Sequence, residues 1–189
     1  PEREEEVSSF YKRLPGKRNV LNVISRFPNS LRKTLAISDV QRFDMVIVQI
    51  AYTGFNDDYS RKWEPMKETA SQRLRGIKNL IDDGYEVSVR FEPLYPKYHT
   101  REDVLDVLES LYRIGICHLT TETLKLTPKT LPIVENIDKT LLDYFDLELF
   151  CGEYYPKQEI RDEMLGWVVE SAKDKGIDVG LCLECNSNC

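Results

Sequence analysis

Three cysteines crowd the last eight residues, Cys182, Cys185 and Cys189, in the spacing Cys-x-x-Cys-x-x-x-Cys. Thiolates spaced this way hold zinc or iron–sulfur clusters. Three ligands are one short of a closed structural site, so Cys151 or an external group would have to supply the fourth. The competing reading makes Cys182 an ordinary strand residue and leaves the tail without metal. Cys117 stands next to His118, and a Cys/His pair is one way to activate a nucleophile. Adjacent strand residues point to opposite faces, however, so only one of these two can look into a given cleft. Asp57-Asp58 and Asp82-Asp83 read as turn and helix-end residues rather than metal ligands. Tyr52, Tyr95, Tyr98, Tyr154 and Tyr155 can stack bases or relay a hydrogen atom, although tyrosine at strand ends and turns mostly packs.

The elements that must position these groups alternate between two periods. Residues 19–25 form a β-rich run before the turn cluster Phe27-Pro28-Asn29-Ser30, and residues 31–40 read as helix. Residues 44–51 (DMVIVQIA) are nearly continuous in apolar character, as expected of a strand covered on both faces. A polar loop over residues 53–67 follows. From Thr69 the spacing turns helical, with Leu74, Ile77, Leu80 and Ile81 on one face and Gly84 as C-cap. Residues 87–91 read as a strand. Thr100 and Asp103 make a capping box for a helix carrying Val104, Val107, Leu108, Leu111 and Tyr112. Residues 116–120, 147–151 and 178–182 read as strands. Residues 134–144 read as helix, and a second helix begins near Pro156 with Ile160, Met164, Val168 and Ala172 inward.

Strand followed by helix, about five times over, implies parallel strands joined by right-handed crossovers. No glycine fingerprint for a dinucleotide follows an early strand. The expected architecture is therefore α/β: a parallel sheet forming a partial (β/α) TIM-like barrel segment, one domain over residues 1–189 with a cysteine-containing tail at 183–189. In such folds chemistry sits at the C-terminal ends of the strands. Those positions hold Ser25 and Arg26, Gln49 and Tyr52, Arg90 and Glu92, Thr120 to Glu122, Glu153 and Tyr154, and Cys182 to Glu184. This mixed-charge rim suits a zwitterionic or anionic small molecule; the alternative is a solvated loop face.

Bulk properties bound the function. The chain has 189 residues, 41% hydrophobic and 31% charged, with a net charge of −6. That describes an ordinary globular domain and not a disordered segment. Nucleic-acid binders usually carry excess Lys and Arg, so a nucleic-acid partner would need a local basic cleft. No apolar run approaches the roughly 20 residues that span a bilayer. The acidic start is not a signal peptide, and five unevenly placed cysteines do not make a secreted disulfide framework. A reducing cytoplasm is expected.

The segment from Trp63 to Pro96, WEPMKETASQRLRGIKNLIDDGYEVSVRFEPLYP, carries a more specific signal. Glu64-Pro65, Arg73-Leu74, Gly84, Val87 to Arg90, and Pro93 with Pro96 resemble the late barrel units of radical S-adenosylmethionine (SAM) proteins of the spore photoproduct lyase-like group. NVISR (22–26), VQIA (48–51), LTTETLKLTP (119–128), CGEYYPKQEIRDEM (151–164) and GLCLE (180–184) are similar to further segments of that group, in the same order.

The resemblance implies the C-terminal part of an iron–sulfur enzyme that uses SAM. In that family a [4Fe-4S] cluster is held by a Cys-x-x-x-Cys-x-x-Cys loop, its open iron chelates SAM, and reductive cleavage yields a 5′-deoxyadenosyl radical. Within the group the reaction can be a DNA-repair lyase reaction on nucleic acid. By position, Arg26 stands where the family has a Lys near the SAM carboxylate, which a guanidinium would grip bidentately. Gln49 stands where a small polar residue meets SAM, and Arg90 points into the same cleft. The cluster loop itself is absent: no cysteine precedes Cys117. The chain is thus expected either to lack an upstream cluster-binding segment, without which the enzyme is inactive, or to work with a second subunit, or to have lost the radical chemistry. The alternative function is a non-catalytic α/β partner subunit that binds a metal or cluster through Cys182, Cys185 and Cys189.

Overall fold

The computed structural model describes residues 2–13, 19–38, 40–65 and 67–182. Its strands are β1 (Val20–Ser25), β2 (Met45–Ala51), β3 (Glu86–Leu94), β4 (His118–Thr123) and β5 (Asp178–Leu181). Its helices are α1 (Glu2–Arg13), α2 (Pro28–Ile37), α3 (Asp57–Trp63), α4 (Ala70–Asp82), α5 (Arg101–Arg113), α6 (Leu131–Asp138) and α7 (Gln158–Asp174), with short 3-10 turns at Val40–Arg42 and Lys139–Tyr144. The strands form a five-stranded all-parallel sheet in the order β1-β2-β3-β4-β5, which is the architecture read from the sequence. By contact the chain divides into two units, Pro1–Arg90 with Ile114–Ile116, and Phe91–Arg113 with Cys117–Cys189. The boundary falls within β3.

In the first unit, register decides which side chains share a face. Val23 lies beside Val48, Ile24 beside Gln49, Gln49 beside Ser88 and Ala51 beside Arg90. Leu21, Val23, Val48, Ile50 and Val89 alternate onto one face and are buried. The core is completed by Leu31 and Leu35 of α2 and by Ile77 and Leu80 of α4. Fully burying a side chain of this size stabilises by roughly 1.5–3 kcal/mol. Asn22, Ile24, Gln49, Ser88 and Arg90 occupy the opposite, half-open face, where Ile24 is 58% exposed. The expectation that β2 is covered on both faces therefore fails. Its first residue, Met45, is exposed, and its burial deepens only towards Ala51.

Local chemistry explains the helix starts. The Thr69 hydroxyl accepts from Gln72 N–H while the Gln72 side chain accepts from Thr69 N–H, a reciprocal capping box that opens α4. α4 buries Ala70, Arg73, Gly76, Ile77 and Leu80, a stripe rotated from the expected one, with Leu74 and Ile81 only half-buried. The polar loop expected over residues 53–67 contains α3. Asn56 Oδ1 accepts from the backbone N–H of Asp58 and Tyr59 at 3.1 and 2.9 Å, which offsets the cost of starting so short a helix.

In the second unit, Leu119, Thr121 and Thr123 of β4 pack inward with Phe91 and Leu94. Thr121 Oγ1 donates to Phe91 O at 2.8 Å, and β4 and β5 pair in parallel, Thr120 beside Gly180. α5 packs on α7 through Val104, Val107, Leu108 and Leu111 against Met164, Val168 and Ala172, as the helical spacing predicts; Tyr112 instead points to solvent. The Thr100–Asp103 capping box forms. Residues 147–151 are not a strand of the parallel sheet. They belong to an antiparallel hairpin with bridges Phe145 to Pro156 and Phe150 to Glu153. A short apolar run does not by itself state its pairing direction.

Candidate functional site

In the first unit the strand ends converge on a buried carboxylate. Arg73, 1% exposed, donates from Nη2 to Glu64 Oε2, from Nη1 to Ala51 O at 3.1 Å and from Nε to Glu68 O at 2.8 Å. Thr53 Oγ1 donates to the same Glu64 oxygen at 3.3 Å. Arg26, at the end of β1 and half exposed, reaches Glu64 Oε1 at 3.4 Å. The backbone after β2 is thereby tied to the start of α4 and the end of β1. Next to this cluster Tyr52 is 5% exposed, and burial pushes its phenol up to about 12, with Arg73 pulling weakly the other way.

On the half-open face of the same unit, Arg90 Nη1 donates to Gln49 Oε1 at 3.5 Å. The structure thus brings Gln49 and Arg90 together and places Arg26 against Glu64. A face with a guanidinium and an amide oxygen offers a donor for a carboxylate and an acceptor for an ammonium, the two ends of a free amino acid.

The remaining rim residues lie in the second unit. Glu122 and Lys125 pair at 2.7 Å on the same side of β4 as Thr120, whose buried Oγ1 has no hydrogen-bond partner among the described residues. Glu92 is half-buried, and the peptide bond between it and Pro93 is cis. Tyr155 donates to Glu153 Oε2 at 3.1 Å, and its ring lies 5.5 Å from the Arg161 guanidinium. Cys182 is half-buried, and its N–H donates to Thr121 O at 3.0 Å; Cys185 and Cys189 lie outside the described residues.

Several polar residues outside the strand ends have structural surroundings. His99 is buried and its Nδ1 accepts from Tyr95 N–H at 2.8 Å, which makes it a core residue. Cys117 and His118 are both exposed. Asp57 accepts from Ser71 N–H and Oγ, each at 2.9 Å, and these bonds lower its pKa. Asp83 forms a bidentate pair with Arg32, at 2.6 and 2.9 Å, rather than a merely solvated helix end. Tyr98 donates to Asp138, which Lys97 also holds at 2.5 Å. The Glu64–Arg73 pair escaped the reading of the sequence. Its signal was present: Arg73 falls at the buried spacing set by Ile77 and Leu80, and a charge on an apolar stripe demands a buried counter-charge.

The described residues do not fit an iron–sulfur cluster: no group of three His, Cys, Asp or Glu side chains among them can share a metal. Among them, too, no helix is long and apolar enough to cross a membrane.

The fold is a five-stranded, all-parallel α/β sheet of the kind found in spore photoproduct lyase structures. Among solved structures the chain is similar to spore photoproduct lyase complexed with dinucleoside spore photoproduct, at a TM-score of 0.67 and 15% identity over 94% of this chain and 55% of that one. A mutant of spore photoproduct lyase with bound AdoMet and dinucleoside spore photoproduct gives a TM-score of 0.69 at 14% identity, over 93% of this chain and 55% of that one. The chain thus spans about 55% of the length of these structures. No family model matches the chain, and no curated protein matches it.

Proposed function

We propose that this chain supplies the SAM-binding and substrate-facing part of a radical SAM-type enzyme, with Arg26, Gln49 and Arg90 serving the amino-acid end of SAM. The observation that carries this reading is the Arg90–Gln49 pair on the half-open sheet face of a fold that, in a solved structure, is described with bound AdoMet. Arg90 suits the carboxylate and Gln49 Oε1 the ammonium. Arg26 keeps Glu64 in place while its outer half stays accessible to solvent.

SAM bound to a cluster would supply a carbon-centred radical. The described cysteines do not gather to hold such a cluster, so the role assigned to this chain is binding and orientation alone. The finer reading, a lyase acting on damaged nucleic acid, is supported by the dinucleoside in the similar structures. On this chain, Lys125 with Glu122 is the pair we assign to polar atoms of that substrate.

Isothermal titration calorimetry with SAM on the intact chain tests the reading. Saturable heat that weakens about tenfold or more in Arg90→Ala is expected, since a charge-assisted hydrogen bond contributes about 1.5–3 kcal/mol. A chain that folds and gives no heat with SAM would refute it.

A further inference from the structure

The hairpin in the second unit carries a surface that the SAM reading does not use. Residues 143–163 hold seven carboxylates and two cations. On the hairpin, Leu147, Leu149 and Phe150 are 61%, 55% and 43% exposed. Three large apolar side chains are thus exposed within four residues, interleaved with Asp146 and Glu148, a density that soluble surfaces usually avoid unless something covers it. Leu147 and Phe150 line a groove of about 890 Å³ together with Asp146, Glu148, Tyr155 and Arg161.

The arrangement is built, not loose. Phe150 and Glu153 exchange both backbone hydrogen bonds, at 2.9 and 3.0 Å, around a turn whose central residues Cys151 and Gly152 have φ of 50° and 84°. Positive φ at both positions matches a tight two-residue hairpin turn. Asp146 N–H donates to Tyr155 O at 3.0 Å, and Lys157 N–H to Tyr144 O at 2.9 Å, which closes the base of the hairpin. The exposed side chains are therefore preorganised, which lowers the entropy cost of covering them.

We infer that this hairpin docks a basic, amphipathic segment of a partner protein, its leucine-like side chains covering Leu147, Leu149 and Phe150 and its lysines or arginines meeting Asp146 and Glu148. Charge decides between the classes of partner: Asp146 and Glu148, which outnumber Arg161 in the groove lining, would repel a phosphate backbone and attract a basic segment. The inference is independent of whether SAM binds.

Fluorescence anisotropy with three labelled probes tests it: a Leu/Lys amphipathic peptide, a Lys/Ser peptide of equal length and charge, and a DNA duplex. The Leu/Lys peptide is expected to bind at least about tenfold more tightly than the Lys/Ser peptide, the scale set by burying one or two leucines. That preference should vanish in Leu147→Ser/Leu149→Ser with the circular dichroism melt unchanged. A second variant, Asp146→Asn/Glu148→Gln, leaves the apolar cluster intact and should weaken both peptides and flatten their salt dependence. Equal affinity for the two peptides, a preference that survives both variants, or duplex binding that depends on Leu147 and Leu149 would overturn the proposal.

Discussion

Arg73 on α4 and Glu64 in the segment after β2 form an ion pair almost wholly removed from water, and Arg26 reaches the same carboxylate from the end of β1. Desolvating both charges is costly, and the pair persists because backbone carbonyls and Thr53 satisfy the remaining hydrogen-bonding capacity. Removing one partner leaves an uncompensated buried charge. Glu64→Ala is expected to cost about 3–5 kcal/mol in urea unfolding, and Arg73→Met combined with Glu64→Leu should recover most of that loss. If Glu64→Ala proves neutral, the pair is not a structural tie.

Gly76 of α4 faces the ring of Pro28 at the start of α2, and a Cβ added there would lie 2.7 and 2.8 Å from the Pro28 Cγ and Cβ. A proline ring cannot rotate away, so the two helices must separate. Gly76→Ala gains up to about 1 kcal/mol in helix propensity but loses about 1–3 kcal/mol to overpacking. A lowered melting temperature is expected, and Pro28→Ala in the same chain should raise it again. A rise with Gly76→Ala alone would mean the helices do not approach this closely.

Asp138 fastens the segment after β3 to α6 by accepting from Lys97, Tyr98 and Thr140. These bonds, led by that of Lys97, hold its carboxyl well below the ordinary range. Because the folded-state pKa is depressed, the contribution is fully present above the unfolded value of about 4 and fades as pH falls below it. The difference in urea midpoint between wild type and Asp138→Asn should be largest at neutral pH and shrink on acidification. A difference that stays constant down to acid pH would contradict this.

Gln49 and Arg90 sit on a half-open face, outside the core that Val48, Ile50 and Val89 form. Gln49→Leu and Arg90→Met should therefore shift stability by no more than about 0.5 kcal/mol, as at surface sites. The same variants are expected to lower SAM affinity about tenfold or more in calorimetry. Loss of folding in either variant would make the pair structural instead.

Much of this architecture was legible in the chain because local periodicity and caps write it directly. Thr69 at the start of α4, Gly84 with its positive φ after it, and Thr100 with Asp103 at the start of α5 punctuate helices that formed where expected. Other features depended on contacts distant in sequence. The run at 147–151 has the composition of a strand, yet its partner is the next few residues rather than the sheet. The α4 stripe is rotated because Gly76 must approach Pro28 and Arg73 must reach Glu64. Asp83 found Arg32, 51 residues away, where local reading saw only a solvated helix end.

By itself, then, the order of residues determined alternating strands and helices, their parallel sense, and the candidate polar positions at the strand ends. Those follow from spacing, which is a property of neighbours along the chain. Only the tertiary structure decided which of those positions meet. Register places Gln49 within reach of Arg90, and a buried carboxylate takes Arg26 for itself, because side chains brought together by folding compete for partners according to distance and burial rather than according to their order.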